Sequence, residues 1–129
     1  MAPLWALAQA EDLQMACYKE GGSYRRHSDS QHLSRRILTA IYYPNGSWKS
    51  RDGGELRLHL HAGATHDVAP VADRLVLMLS KVEHEVLPVT QGVGGGTAEG
   101  GGQRQTVSRW PRTQKRLVPL GSASRTAGV

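Results

Sequence analysis

An all-β domain, a sandwich or barrel, is the fold class that this 129-residue sequence predicts. Three observations carry the prediction: six or seven short stretches rich in β-branched, aromatic or alternating residues, turn formers between them, and no sustained 3.6-residue periodicity beyond the first ten residues. A chain of this length holds one core at most.

Residues 1–10 have room for a short helical turn or two, the one helical segment expected. "LQMACY" (13–18) breaks at "KEGG", whose glycines suit a hairpin turn, so "SYRRHSD" (23–29) is expected to return antiparallel to it. "RRILTAIYY" (35–43) is rich in β-branched and aromatic residues and stops at "PNGSW", where Pro44, Asn45 and Gly46 are turn formers. "ELRLHLH" (55–61) alternates, with Leu56, Leu58 and Leu60 on one face and Arg57, His59 and His61 on the other, the pattern of a half-buried strand. "THDVAP" is a short strand, "DRLVLMLS" (73–80) a mostly apolar one, and "EHEVLPV" (83–89) starts polar and ends apolar. The core is thus expected over 11–92. "GVGGGTAEGGG" cannot bury anything, so 93–103 read as a flexible insertion or linker. "RQTVSRW" (104–110) is one more candidate core strand, and 111–129, polar and basic with no periodicity, are expected to form a disordered tail.

The net charge is +5, but six basic residues and no acidic one follow from Arg104 onward, so the excess belongs to the tail. That tail lacks the interleaved aromatics on which bases stack, and nucleic-acid binding is not expected. A single cysteine, Cys17, excludes an internal disulfide and reads as a small buried hydrophobe. "MAPLWALAQAED" has a short apolar run but no basic n-region, so a signal peptide is not expected. No stretch approaches the ~20 apolar residues of a membrane span, and a soluble chain, cytoplasmic or nuclear by default, is the expectation.

"YRRHSDSQH" (24–32) sets His27 and Asp29 one residue apart. Side chains at i and i+2 of a strand leave the same face, so an imidazole and a carboxylate can converge there. His84 stands at the polar start of a later strand. Two histidines and one carboxylate on one side of an ion, with the remaining positions open to a bidentate co-substrate and O2, make the facial triad of non-haem Fe(II) oxygenases. In a chain with six histidines such spacing also arises by chance, and surface histidines are the competing reading. His59, His61 and His66 are read as solvated strand-face or loop residues.

"MACYKEGGSYRRHSDS", "RRILTAIYYPNGSWKSRDGGELRLH", "VAPVADRLVLMLS" and "HEVLPV", in order and spacing, resemble the prolyl 4-hydroxylase branch of the Fe(II)/2-oxoglutarate dioxygenases, its hypoxia-sensing members above all. The resemblance runs from about Leu13 to Val89. It implies a double-stranded β-helix, two antiparallel sheets face to face in a flattened barrel. It makes His27, Asp29 and His84 the iron ligands, Tyr43 a partner of the distal carboxylate of 2-oxoglutarate, and Tyr18 a second wall of that pocket. Gly53 and Gly54 match a strand entry where a side chain would obstruct a close approach, and Ser80 resembles the residue ending the strand before the distal histidine. The implied reaction hydroxylates a prolyl residue of a polypeptide with Fe(II), O2 and ascorbate, while 2-oxoglutarate is decarboxylated to succinate and CO2.

The family anchors 2-oxoglutarate with an arginine or lysine about one strand after the distal histidine, and here Val93 and glycines occupy that place. "RQTVSRW" resembles the family's closing strand, an arginine six residues before a tryptophan, which makes Arg104 the anchor, Trp110 its follower and the glycine run a looped-out insertion. On that pattern Arg109 falls where an inward apolar residue is expected. The second reading is a catalytically impaired metal-binding or interaction module, triad intact and co-substrate anchor lost. Only about a dozen residues precede "LQMACY", where the family usually carries helices that support the larger sheet.

Overall fold

The computed structural model describes residues 9–10, 13–30, 35–90 and 104–112. Its strands are β1 (Gln9–Ala10), β2 (Gln14–Tyr18), β3 (Tyr24–His27), β4 (Leu38–Tyr43), β5 (Leu56–His59), β6 (Thr65–Val68), β7 (Arg74–Leu79), β8 (Glu83–Val86), β9 (Arg104–Arg109) and β10 (Pro111–Arg112). They form a major sheet ordered β2-β9-β4-β7, a minor sheet ordered β3-β8-β5-β6, and the short pair β1-β10. Every pairing is antiparallel. Two four-stranded antiparallel sheets built from strands that alternate between them are a double-stranded β-helix. Among the described residues no helix is long and apolar enough to cross a membrane.

The expected hairpin between 13–18 and 23–29 does not form. β2 pairs with β9 in the major sheet and β3 with β8 in the minor one. The intervening glycines instead turn the chain between sheets, with the Gly21 amide donating to the Val89 carbonyl at 2.8 Å and the Val89 amide to that of Gly22 at 2.9 Å. Two glycines supply a turn without specifying which strand lies beyond it. Residues 9–10, expected in a helical turn, and 111–112, expected in an irregular tail, are strands paired with each other. Residues 1–8, 93–103 and 113–129 lie outside the described residues.

Inward residues of three strands meet in the core: Ile41 and Tyr43 of β4, Leu56 of β5 and Met78 of β7, with Leu58, Val68, Val76 and Val82 packed against them. The alternation read in 55–61 holds for Leu56 and Leu58 and stops at Leu60, which is exposed where the chain enters a 3₁₀ turn at His61–Gly63. The outer face of the minor sheet is charged, with Arg57 forked onto Asp67 by two 2.8 Å bonds and His59 2.8 Å from Glu85. The outer face of the major sheet is the reverse: Met15, Leu75, Leu77 and Leu79 are exposed apolar side chains. Cys17, expected inside, belongs to this exposed face. Arg109, expected to point inward, is exposed, because Arg104, Thr106 and Trp110 take the inward parity of β9 and its extension.

Gly53 and Gly54 carry the close approach expected of them. Gly53 has φ 64° and ψ −157°, a region open essentially to glycine alone, and a Cβ there would stand 2.4 Å from the Pro88 carbonyl oxygen. At Gly54, with φ 75°, a Cβ would meet Cδ of Arg104 at 2.8 Å. Gly53→Ala is therefore expected to cost about 3 kcal/mol of unfolding free energy in a urea titration. A loss below about 1 kcal/mol would show that the crossing with Pro88 relaxes freely.

Candidate active site

One cavity of about 350 Å³ opens between the sheets. Its wall includes His27, Asp29 and His84 with Thr39 and Trp110 at one end and Tyr18 and Arg104 at the other, with Thr106 and Ser108 between them along β9. The three residues of the H-x-D…H pattern come together, as β3 and β8 are neighbours with His27 opposite His84. One ligand atom from each of the three lies within 4.8 Å of the others, the one such group among the described residues. His27 Nε2 is 3.3 Å from Asp29 Oδ1, His84 Nε2 is 3.7 Å from Oδ2, and the two imidazole centroids are 4.4 Å apart.

Each imidazole is oriented from behind. Nδ1 of His27 lies 2.8 Å from the carbonyl of Arg25, and Nδ1 of His84 lies 2.9 Å from that of Val82. A carbonyl only accepts, so each neutral ring carries its proton on Nδ1 and presents the Nε2 lone pair to the convergence point. Asp29 is buried and held on several sides. Its Oδ2 accepts from the Thr39 hydroxyl at 2.7 Å and from Trp110 Nε1 at 2.9 Å, and its amide donates to the Ser80 carbonyl at 2.9 Å. The Ser80 hydroxyl lies 3.0 Å from that of Thr39, and the guanidinium of Arg36 covers the Trp110 ring at 4.2 Å.

Thr39, Ser80 and Arg36 were not singled out by their spacing. The contacts of Thr39 and Trp110 with Asp29 span 10 and 81 residues, which no local periodicity encodes. For Thr39 a signal existed, because it shares strand parity with Ile41 and Tyr43 and so faces inward with them.

Burial depresses the pKa of His84, against the pull of the Val82 carbonyl and of Asp29, so the ring stays neutral at neutral pH. Unfolded, it takes up a proton near its ordinary value of 6.5. The unfolded chain therefore binds more protons between the depressed folded pKa and that value, and this contribution to stability is complete above it and lost on acidification below it. In the metal-free protein Tm is expected to fall from about pH 7 to about pH 5, less steeply in His84→Gln. Equal slopes would assign the titration elsewhere. The carboxyls of Asp67 and Glu83 are held below their ordinary values by hydrogen bonds from Arg57 and Arg26.

At the other end Arg104 is 2% exposed. Its Nη2 donates to the Tyr43 hydroxyl at 3.3 Å, and its guanidinium carbon lies 5.0 Å from the Tyr18 ring and 5.1 Å from that of Tyr43. Nε and Nη1 are buried with no hydrogen-bond partner. Burial lowers the Arg104 pKa and raises those of Tyr43 and Tyr18, which keeps both phenols protonated. A buried cation with two unspent donors beside a phenol able to donate is a receptor for a carboxylate.

Two imidazoles and a carboxylate thus converge on a cavity inside a double-stranded β-helix, and a buried arginine lines the same cavity. The 2OG-Fe(II) oxygenase superfamily model matches residues 13–112, and the chain belongs to that family. It is 38% identical over 79 residues to prolyl hydroxylase EGLN3 of Mus musculus, covering 57% of this chain and 33% of that protein, and equally identical to Egl nine homolog 1 of Homo sapiens, covering 18% of it. A prolyl-4-hydroxylase of Pseudomonas putida superposes with a TM-score of 0.67 at 39% identity, over 79% of this chain and 52% of that one. A Trichoplax adhaerens prolyl hydroxylase in complex with a hypoxia-inducible-factor oxygen-degradation-domain peptide does so with a TM-score of 0.69 at 29% identity, over 81% and 44%. The chain spans about a third of the length of the EGLN3 proteins it matches.

Proposed function

We propose that the chain carries the catalytic site of a prolyl hydroxylase, with His27, Asp29 and His84 holding Fe(II), and with Arg104, Tyr43 and Tyr18 receiving 2-oxoglutarate. The donor set fits the metal: two neutral imidazole nitrogens and one carboxylate oxygen within reach of one ion suit Fe(II). When bound, the ion and co-substrate supply the oxidising chemistry, in which O2 is consumed, 2-oxoglutarate becomes succinate and CO2, and a prolyl C–H of a polypeptide is hydroxylated, with ascorbate keeping iron reduced.

The chain's own residues position and exclude. Arg104 pairs its guanidinium with the distal carboxylate, to which Nη1 brings an unspent donor, Tyr43 donates its hydroxyl to the same group, and the low-dielectric pocket strengthens both contacts. Thr39 and Trp110 fix the Asp29 carboxylate in one orientation. A polypeptide substrate would approach at the open end of the cavity, where Tyr24, Arg36 and Gln14 line the wall.

The observation that carries this reading is the buried Arg104 with its orphaned donors in the same cavity as the triad. It weighs against the interaction-module alternative, which requires the anchor to be lost. The test is release of labelled CO2 from 2-oxoglutarate by purified protein with Fe(II), ascorbate and air. Turnover that disappears on chelation supports the reading, and no turnover with iron bound returns the alternative.

A further inference from the structure

β9 is reached through a glycine-rich stretch, the kind of chain with the most backbone entropy to lose, and Arg104 is its first residue. On its β2 side the ladder runs up to Tyr18↔Arg104, so the fastening the strand start needs is on its β4 side. β4 pairs with β9 through Ala40↔Arg109, Ile41↔Ser108 and Tyr42↔Val107, and continuing that register sets Pro44 opposite Gln105. Proline has no N–H to give to a ladder.

The side chain of Asn45 supplies what Pro44 lacks. The Gln105 amide donates to Asn45 Oδ1 at 2.8 Å, and Asn45 Nδ2 donates to the Gln105 carbonyl at 3.1 Å. The N–H and C=O of one strand residue point the same way, so this amide meets both as a backbone partner would. Asn45 Nδ2 also donates to the carbonyl of the buried Pro70 at 2.8 Å, tying the end of β4, the start of β9 and the approach to β7 at one point.

We infer that Asn45 is a positioning residue for the 2-oxoglutarate anchor: its amide replaces the missing rung of the β4–β9 ladder beside Arg104 and so sets where the guanidinium enters the cavity. This rests on the reading of Arg104 as the anchor. Two neighbours make the placement of Arg104 sensitive, since Gly54 leaves no slack beside its Cδ and the Tyr43 hydroxyl reaches only Nη2. A planar fork needs orientation, whereas a lysine ammonium in its place does not.

The test uses the full chain loaded with Mn(II), which reads binding without turnover. 2-Oxoglutarate is titrated calorimetrically into wild type, Asn45→Ala and the shape-matched Asn45→Leu, each in the Arg104 and the Arg104→Lys background, and Mn(II) affinity is measured separately. Losing the two hydrogen bonds to Gln105 is expected to weaken 2-oxoglutarate binding about 10- to 30-fold in the arginine background. The expected change is under about threefold in the lysine background and in Mn(II) affinity. Amide exchange at Gln105 should accelerate at least about tenfold while that at Val107 holds. An equal loss in both backgrounds, or a parallel loss of Mn(II) affinity, would make Asn45 a general structural residue and overturn the inference. Wild-type protein that binds Mn(II) but no 2-oxoglutarate would overturn the anchor reading itself, and the positioning role with it. Unchanged Gln105 exchange with intact 2-oxoglutarate binding overturns the positioning role alone.

Discussion

His84→Ala is expected to remove metal binding and turnover together. One of three protein ligands is lost from a site with no spare donor of the right kind, and the drop in Mn(II) or Fe(II) affinity should be at least ~100-fold, since even the partners that merely orient ligands are worth 10- to 100-fold. Titration of the variant with Mn(II), alongside release of labelled CO2, reads both losses. The fold should persist, because the core of Ile41, Tyr43, Leu56 and Met78 does not include the imidazole. A variant that kept its metal affinity would remove His84 from the site and leave the H-x-D pair as a surface motif.

Arg104→Met separates co-substrate from metal. Two charge-assisted hydrogen bonds of about 1.5–3 kcal/mol each correspond to a loss of 2-oxoglutarate affinity on the order of 10²-fold or more, with Mn(II) affinity unchanged. The same substitution takes out a buried cation whose Nε and Nη1 have no partner among the described residues, so the ligand-free variant should be no less stable than wild type in urea. Affinity falling while stability holds is the mark of a side chain kept for a ligand. If CO2 release survived in Arg104→Met and vanished only in His84→Ala, the iron site would stand and the anchor would have to lie elsewhere.

The parts of this architecture legible in the sequence were those that depend on neighbouring residues. Period-two alternation placed Leu56 and Leu58 on one face, β-branched and aromatic content marked 35–43, of which 38–43 form β4, and an arginine six residues before a tryptophan pointed to 104–110 across a glycine-rich break, of which 104–109 form β9. What stayed illegible depends on which strand lies beside which. The glycines at 21 and 22 fit a hairpin as well as a passage between sheets, and only the distant Val89 decides between them. Cys17 was misread because β2 runs against the usual rule: its polar or small Gln14 and Ala16, with Tyr18, line the cavity while Met15 and Cys17 look outward. Arg109, which the family's closing-strand pattern put inward, faces outward because β9 gives its inward parity to Arg104 and Thr106. A strand that lines a polar cavity inverts the hydrophobic signal on which parity is judged.

That inversion separates what the protein recognises from what keeps it folded. The packed cluster is drawn from β4, β5 and β7, whereas the β2 and β9 side of the cavity is surfaced by Gln14, Ala16, Thr106 and Ser108, side chains with little apolar area to forfeit. Exchanging Gln14 or Ala16, both largely open to solvent, should alter stability by no more than about 0.5 kcal/mol. The lining of that wall can change while the scaffold beneath it stays put, which makes these two strands the place to begin reshaping the cavity.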